Sequence, residues 1–204
     1  MPFRARGREV YHYLMAEPDN ISIRDTSAEA LLSLRHSVLR VGLPPESAVI
    51  DGDVEPTTHH IGAFDQSGQL VGCASLMRRP WDDQTSWPVR CMAILRLIPR
   101  PPTPGEAAWR LRGMAVVSDL RGRGIGRLML ANIEQFVRTT DYSRLLWCCA
   151  RKPVVGYYAA MGWTKIGAEF YVKNVGPHFT MFKRLGRNPA YPSGNTAKAP
   201  PAHE

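Results

Sequence analysis

The period of apolar positions changes several times along the chain, and each change marks an element. Ile21-Ser22-Ile23-Arg24 alternates like a short half-buried strand. Leu31, Leu34, Val38 and Leu39 then recur at helical spacing behind Thr26 or Ser27, either of which caps a helix, with Glu29 favourable to the dipole in the first turn. On this reading Arg35 and His36 lie on the surface, and Gly42 with Pro44-Pro45 ends the helix. A loop rich in Pro, Asp and Gly runs to Pro56. Two strands follow, 58–64 and 70–77, joined by Asp65-Gln66-Ser67-Gly68, a hairpin signal.

Residues 78–107 break the pattern with six prolines, at 80, 88, 99, 101, 102 and 104. A connection this long in a compact domain is usually functional or disordered. Inside it, 91–98 is apolar enough for a strand or a short helix. Past this insert, 144–150 reads as a buried strand, Pro153 sits at a helix start, and 154–161 is a short helix closed by Gly162. Residues 163–172 and 178–185 are strands, with a turn at Gly176-Pro177. The arm 1–19 and the Pro- and Ala-rich tail 187–204 flank a single domain of 20–186. The order predicts an α/β protein with a mixed sheet and helices on both faces.

The most informative stretch is WRLRGMAVVSDLRGRGIGRLMLANIEQFVR, residues 109–138. Residues 109–117 suit a strand within a sheet. Leu128, Leu130, Ala131, Ile133, Phe136 and Val137 mark a helix, and Arg121-Gly122-Arg123-Gly124-Ile125-Gly126 lies between. Glycine admits a ligand close to the backbone, and the first helical N–H groups are unpaired and lie at the positive end of the dipole. Arg121, Arg123 and Arg127 add charge suited to a diphosphate. A dinucleotide fingerprint from Gly122 would need glycine at 127, which is Arg, and no Walker loop is present.

Composition narrows the reading. The 204 residues are 44% hydrophobic and 22% charged, ordinary for a globular chain of one domain. No apolar run approaches the roughly 18 residues of a membrane span, and the N-terminus has no apolar signal core, which predicts a cytoplasmic protein without membrane contact. Four cysteines, with no zinc-like spacing, fit buried thiols in a reducing compartment. The net charge of +8 is scattered, without a basic run interleaved with aromatics, and argues against direct nucleic-acid binding. Neither a G-x-S-x-G elbow nor a carboxylate–histidine metal cluster occurs, so no metal is expected.

Arg121-x-x-Gly124-x-Gly126 directly after a strand resembles the pyrophosphate loop of the GNAT superfamily of acyl-CoA-dependent N-acetyltransferases, written [QR]-x-x-G-x-[GA]. MAVVSDLRGRGIG resembles that family's full central-strand motif, and GPHFTMFKRL a closing strand. CCARKPVVGYYAAMGW resembles its strand–helix segment, with Tyr158, Gly162 and Trp163 in the Y, G and F places. Cys149 departs from the pattern, standing where the family often carries Asn. The resemblance implies a largely antiparallel GNAT-like sheet over residues 20–186.

It further implies acetyl-CoA as co-substrate, transferring acetyl directly to a primary amine of a small molecule or protein in a ternary complex. The cofactor would lie between the strands ending at Val117 and near Ala150. Its pantetheine arm would pair with Met114, Ala115, Val116 and Val117, an N–H at Met114 or Ala115 polarising the thioester carbonyl. The diphosphate would meet Arg121, Gly122, Arg123, Gly124, Ile125, Gly126 and Arg127.

Tyr158 is the expected general acid, and one of the adjacent Tyr157 and Tyr158 is expected to face away. For the base, His59, His60, Glu106, Glu169 and His178 stay open, Glu169 and His178 being favoured because they flank the last hairpin. Trp81, Trp87 and 91–98 should cover either the acceptor pocket or the same surface of a second copy in a homodimer. The alternative to an enzyme is a non-catalytic acyl-CoA-binding module on the same fold.

Overall fold

The computed structural model describes residues 20–82, 100–140 and 143–186. Trp87, the apolar run 91–98, the N-terminal arm and the C-terminal tail lie outside them. Seven strands, β1 (Ser22–Asp25), β2 (Thr58–Phe64), β3 (Leu70–Arg78), β4 (Trp109–Val116), β5 (Leu145–Arg151), β6 (Thr164–Val172) and β7 (Gly176–Arg184), form one sheet in the order β1-β2-β3-β4-β5-β7-β6. Every pairing is antiparallel except β4 with β5. Among the described residues there are also helices α1 (Ala28–Leu39), α2 (Ile125–Thr140) and α3 (Val155–Ala160), with short 3-10 turns at Pro45–Ala48, Ser118–Leu120 and Lys152–Val154. No helix among the described residues is long and apolar enough to cross a membrane.

Local chemistry explains most boundaries. Ser27, not Thr26, caps α1 by accepting from Ala30 N at 3.4 Å. Asp65 Oδ1 accepts from Ser67 N and Gln69 N at 2.9 Å each, and Gly68 takes φ +81°, which sets the β2–β3 turn. The last hairpin differs from expectation. Gly176 and Pro177 belong to β7, and the turn is Lys173–Asn174–Val175, with Asn174 at φ +61°. Asn tolerates that left-handed backbone better than most residues.

The helices sit on opposite faces of the sheet. Buried Ile125, Met129, Leu130, Ile133 and Val137 lay α2 against Leu76, Leu111, Leu146 and Cys148. Leu31 and Leu34 of α1 meet Cys73 and Ala115. Trp81, at the start of the insert, is buried against Trp147 and Phe182 with edge-to-face rings at 5.7 and 6.1 Å. It covers the end of the sheet face away from α2. At the insert's other end Glu106 forms a forked ion pair with Arg184 of β7, at 2.6 and 2.9 Å.

Arg35 departs most from expectation: it is 1% exposed. Its guanidinium contacts both Asp53 oxygens, at 2.6 and 3.2 Å, and Ser75 Oγ at 2.5 Å. Ser75 meets His60 Nδ1 at 2.6 Å, and His60 Nε2 lies 2.9 Å from the Asp53 carbonyl. Positions 31, 34, 35 and 38 together are the i, i+3, i+4, i+7 stripe, so position 35 belongs to the inner face whatever residue fills it. A charge is tolerated there because its partners are buried beside it. His36 is half-buried as well, bonded to the Leu43 carbonyl at 2.8 Å.

Candidate active site

The two parallel strands are paired for only two steps, Trp109 with Leu146 and Arg110 with Trp147. Beyond Arg110 they diverge, so the β5-side edge of β4 from Leu111 onward has no strand partner among the described residues. On its other edge β4 carries an extra residue, because Cys73 pairs with Ala115 while Ser75 pairs with Arg112. Gly113 occupies this bulge at φ +59°, and a Cβ there would lie 2.7 Å from Ile50 Cδ1 and 2.9 Å from Arg35 Nε. The bulge resets the alternation. Arg110 and Arg112 point to the α1 face, and Met114 turns back to the α2 face, where it meets Tyr158.

β4 ends at Val116, one residue before the predicted end, and Ser118–Leu120 forms a turn of 3-10 helix. Arg121 bends back so that its Nε donates to the Val116 carbonyl at 3.1 Å. Gly122 and Gly124 take φ +78° and +85°, values that only glycine adopts freely. The helix begins at Ile125, inside the predicted loop, and the first intrahelical bond is Leu128 N to Gly124 O at 3.0 Å. The N–H groups of the preceding turn are therefore the unpaired donors of the helix start. A cavity of about 560 Å³ borders this loop at Leu120, Arg123 and Ile125 and reaches the β2–β3 turn at Asp65–Ser67. It stops short of the split between β4 and β5.

Gly126 is also constrained by packing. A Cβ on it would sit 2.7 Å from the Tyr157 hydroxyl, so glycine makes room for a ring. The neighbouring Tyr158 packs against Trp163 and Tyr157, with rings 5.3 Å apart in each case, and its hydroxyl donates to Met114 Sδ at 3.6 Å. Neither tyrosine faces away: α3 is short, and both rings lean towards the α2 side. Burial pushes the Tyr157 phenol up to about 12 and drives that of Tyr158 well above its usual value, aided by Cys148.

The proposed bases scatter. His178 is 6% exposed, and it pairs with Arg151, so its side chain shares the α1-side face of β5. Its Nδ1 lies 2.8 Å from the Gly176 carbonyl. A carbonyl only accepts, so Nδ1 carries a proton, and the tautomer this contact selects is the one with its lone pair on Nε2. Glu169 is exposed on the edge strand β6 and bridges Lys152 at 2.8 Å. His59 lies on β2 stacked on Phe136 at 3.9 Å, its basicity lowered by burial. His60 is tied into the Arg35–Asp53 network. The Arg184 fork brings Glu106 down to about 2, leaving an ionised and occupied carboxylate.

Sequence reasoning passed over Arg110 and Arg112, which stand on the α1 face of β4 beside Cys149 and Trp147. The signal was present in the Trp109-Arg110-Leu111-Arg112 alternation, which places two cations on one side of a central strand.

Comparison with known proteins agrees with this architecture. The family model described as Acetyltransferase (GNAT) family matches residues 29–163. An uncharacterized N-acetyltransferase, YitI of Bacillus subtilis (strain 168), is 29% identical over 171 residues, which are 84% of this chain and 97% of that protein. NAA60 of Arabidopsis thaliana in complex with acetyl-CoA superposes with a TM-score of 0.57 at 12% identity, over 81% of this chain and 98% of that one. An aminoglycoside 6'-N-acetyltransferase complexed with coenzyme A gives 0.57 at 15% identity, over 82% and 99%. These two structures share the fold. The family match spans well over half of the sequence, and this chain belongs to the GNAT acetyltransferase family.

Proposed function

We propose that this protein moves an acetyl group from acetyl-CoA to a primary amine by direct attack within a ternary complex. The observation that carries the reading is the split itself. Parallel pairing stops after Arg110, and the exposed edge of β4 leads straight into the glycine loop at the start of α2. A strand edge that no neighbouring strand covers suits an amide-rich ligand adding like another strand. Gly122, with open space where a Cβ would be, and the free N–H groups at the helix start suit a diphosphate, with Arg121, Arg123 and Arg127 supplying counter-charge.

The residues then have separable tasks. Main-chain groups at Met114 to Val116 hold the acyl arm, Val117 being bonded already to the Val71 carbonyl and the Leu120 N–H, and an N–H at Met114 or Ala115 polarises the thioester carbonyl. The neutral amine nitrogen attacks that carbon, a C–N bond forms, the C–S bond breaks, and sulfur leaves with the electron pair. Tyr158 donates a hydrogen bond to the departing sulfur. Its raised pKa keeps it protonated until the C–S bond breaks; the phenol proton then passes to the thiolate sulfur to give the free thiol, and solvent reprotonates Tyr158 as product leaves. The nitrogen's own proton passes to His178 Nε2 or a water held there. Glu169, paired with Lys152 on the edge strand, has the weaker geometry for that step.

The test is a broad amine-acceptor screen that follows thiol release from acetyl-CoA. Acceptor-dependent release with a product heavier by one acetyl group supports the reading. Tight acetyl-CoA binding without acetylation of any amine would instead identify a non-catalytic acyl-CoA-binding module.

A further inference from the structure

On the α1 face of the split four guanidinium groups gather without a carboxylate partner among the described residues. Arg110 lies 4.4 Å over the Trp147 ring and donates to Cys149 Sγ at 3.5 Å, so it reaches from one arm of the split to the other. Its Nε is buried with no hydrogen-bond partner among the described residues. Arg112, two residues on along β4, donates to the Asp51 carbonyl at 3.2 Å. Arg151, on the same face of β5 two residues past Cys149, donates to the Leu39 carbonyl at 2.5 Å. Arg40, at the end of α1, bonds Leu39 O at 3.3 Å and Ser47 O at 3.0 Å.

Each fork has five donors, and these contacts engage only one or two of them. The acids nearby are few. Asp53 is taken by Arg35. Asp51 is exposed, and its charge acts on Arg112 only as a minor influence, after burial and the repulsion of Arg110. Burial, and then Arg40, likewise hold the Arg151 pKa below its usual value. Half-buried like charges on both arms of an opening are an unfavourable arrangement unless an anion completes them.

We infer that the amine acceptor carries an anionic group, a carboxylate or a phosphate, which Arg110, Arg112 and Arg151 receive on the α1 face while its amine reaches the thioester at β4. This rests on the acyl-CoA reading of the split. Arginine forks match both anions in a bidentate manner, and the fixed face on which they stand would orient the nucleophile. A polycationic amine would meet the same face with repulsion.

The experiment measures kcat/KM by thiol release for matched pairs: alanine with alaninamide, O-phosphoethanolamine with ethanolamine, and spermidine as the polycation. The anionic member of at least one pair should exceed its neutral partner at least tenfold, and the pair in which it does so separates carboxylate from phosphate. Arg112→Gln and Arg151→Gln should cut turnover of that anionic acceptor by about ten- to a hundredfold, through KM, the scale of a lost hydrogen bond between charged groups. Arg112→Lys, which keeps the charge and loses the fork, should fall between. Acetyl-CoA affinity, measured separately by calorimetry, should stay within a few-fold in all three variants. Release no greater for the anionic members than for their partners, including none for either, overturns the inference, as does an equal loss for charged and neutral acceptors. If acetyl-CoA itself fails to bind the native chain, the parent reading falls.

Discussion

The Tyr158 hydroxyl donates to the Met114 sulfur at 3.6 Å, linking α3 to β4 beside the open end of the split. Sulfur is a weak acceptor, so a buried phenol with this one hydrogen-bond partner among the described residues exchanges it for another sulfur at small cost. That is the contact a departing thiolate would take over. Tyr158→Phe is expected to lower kcat by about 10²-fold with acetyl-CoA affinity nearly unchanged. The Tyr157 hydroxyl has no hydrogen-bond partner among the described residues and abuts Gly126, so Tyr157→Phe should change kcat much less. Steady-state kinetics of the two variants decide it, and equal losses would move the role off Tyr158.

Gly113 combines a left-handed backbone with a crowded site. Gly113→Ala is expected to cost at least about 1–2 kcal/mol from the backbone alone, with more from contact against Arg35 and Ile50. Urea unfolding measures it. A neutral outcome would mean that the bulge can relax, and with it the placement of Met114.

The Arg35–Asp53 pair is buried on both sides, at 1% and 3% side-chain exposure. Asp53→Ala leaves a guanidinium without its anion and is expected to destabilise the fold by about 3–5 kcal/mol. Arg35→Met together with Asp53→Leu should recover much of that loss, because replacing both partners removes the unpaired charge. Unfolding midpoints of the single and double variants test both statements.

This pair also shows where the sequence could and could not be read. The strand–loop–helix at 109–138 was legible because glycine spacing, a basic loop and helical periodicity all pointed the same way. The β2–β3 hairpin was legible from its turn residues. Arg35 was misplaced because residue type was weighed above its position on the stripe, and its partners stand 18 and 40 residues away in sequence. The β4 bulge left no local mark except Gly113. Without it, alternation would put Met114 on the same face as Arg110 and Arg112, so the side-chain directions at the split depended on a long-range register. Local alternation marks Arg110 and Arg112, but their approach to Arg151 stayed hidden, since that residue comes from a second strand.

Glu106 supplies a pH dependence. Folding lowers its pKa from 4.5 to about 2, chiefly through the Arg184 fork, so its stabilisation is complete above pH 4.5 and fades as pH falls towards 2. Glu106→Gln should therefore melt below the native protein at neutral pH, and the two melting curves should converge as the medium is acidified. Thermal scans across that range check it, and a gap that persists at the acid end would mean that the fork is not what stabilises the end of the insert.

The central claim is that the unpaired edge of β4 and the loop after it hold acetyl-CoA. Hydrogen–deuterium exchange with and without acetyl-CoA tests this most directly, because an added ligand strand must protect the amides it bonds. The account predicts slowed exchange within Met114 to Val116 and at Arg121 to Arg127, with none at the edge strand β6; the Val117 amide, already bonded to the Val71 carbonyl, serves as an internal reference. Saturable binding that leaves both segments exchanging as before, while protecting another part of the chain, would contradict it.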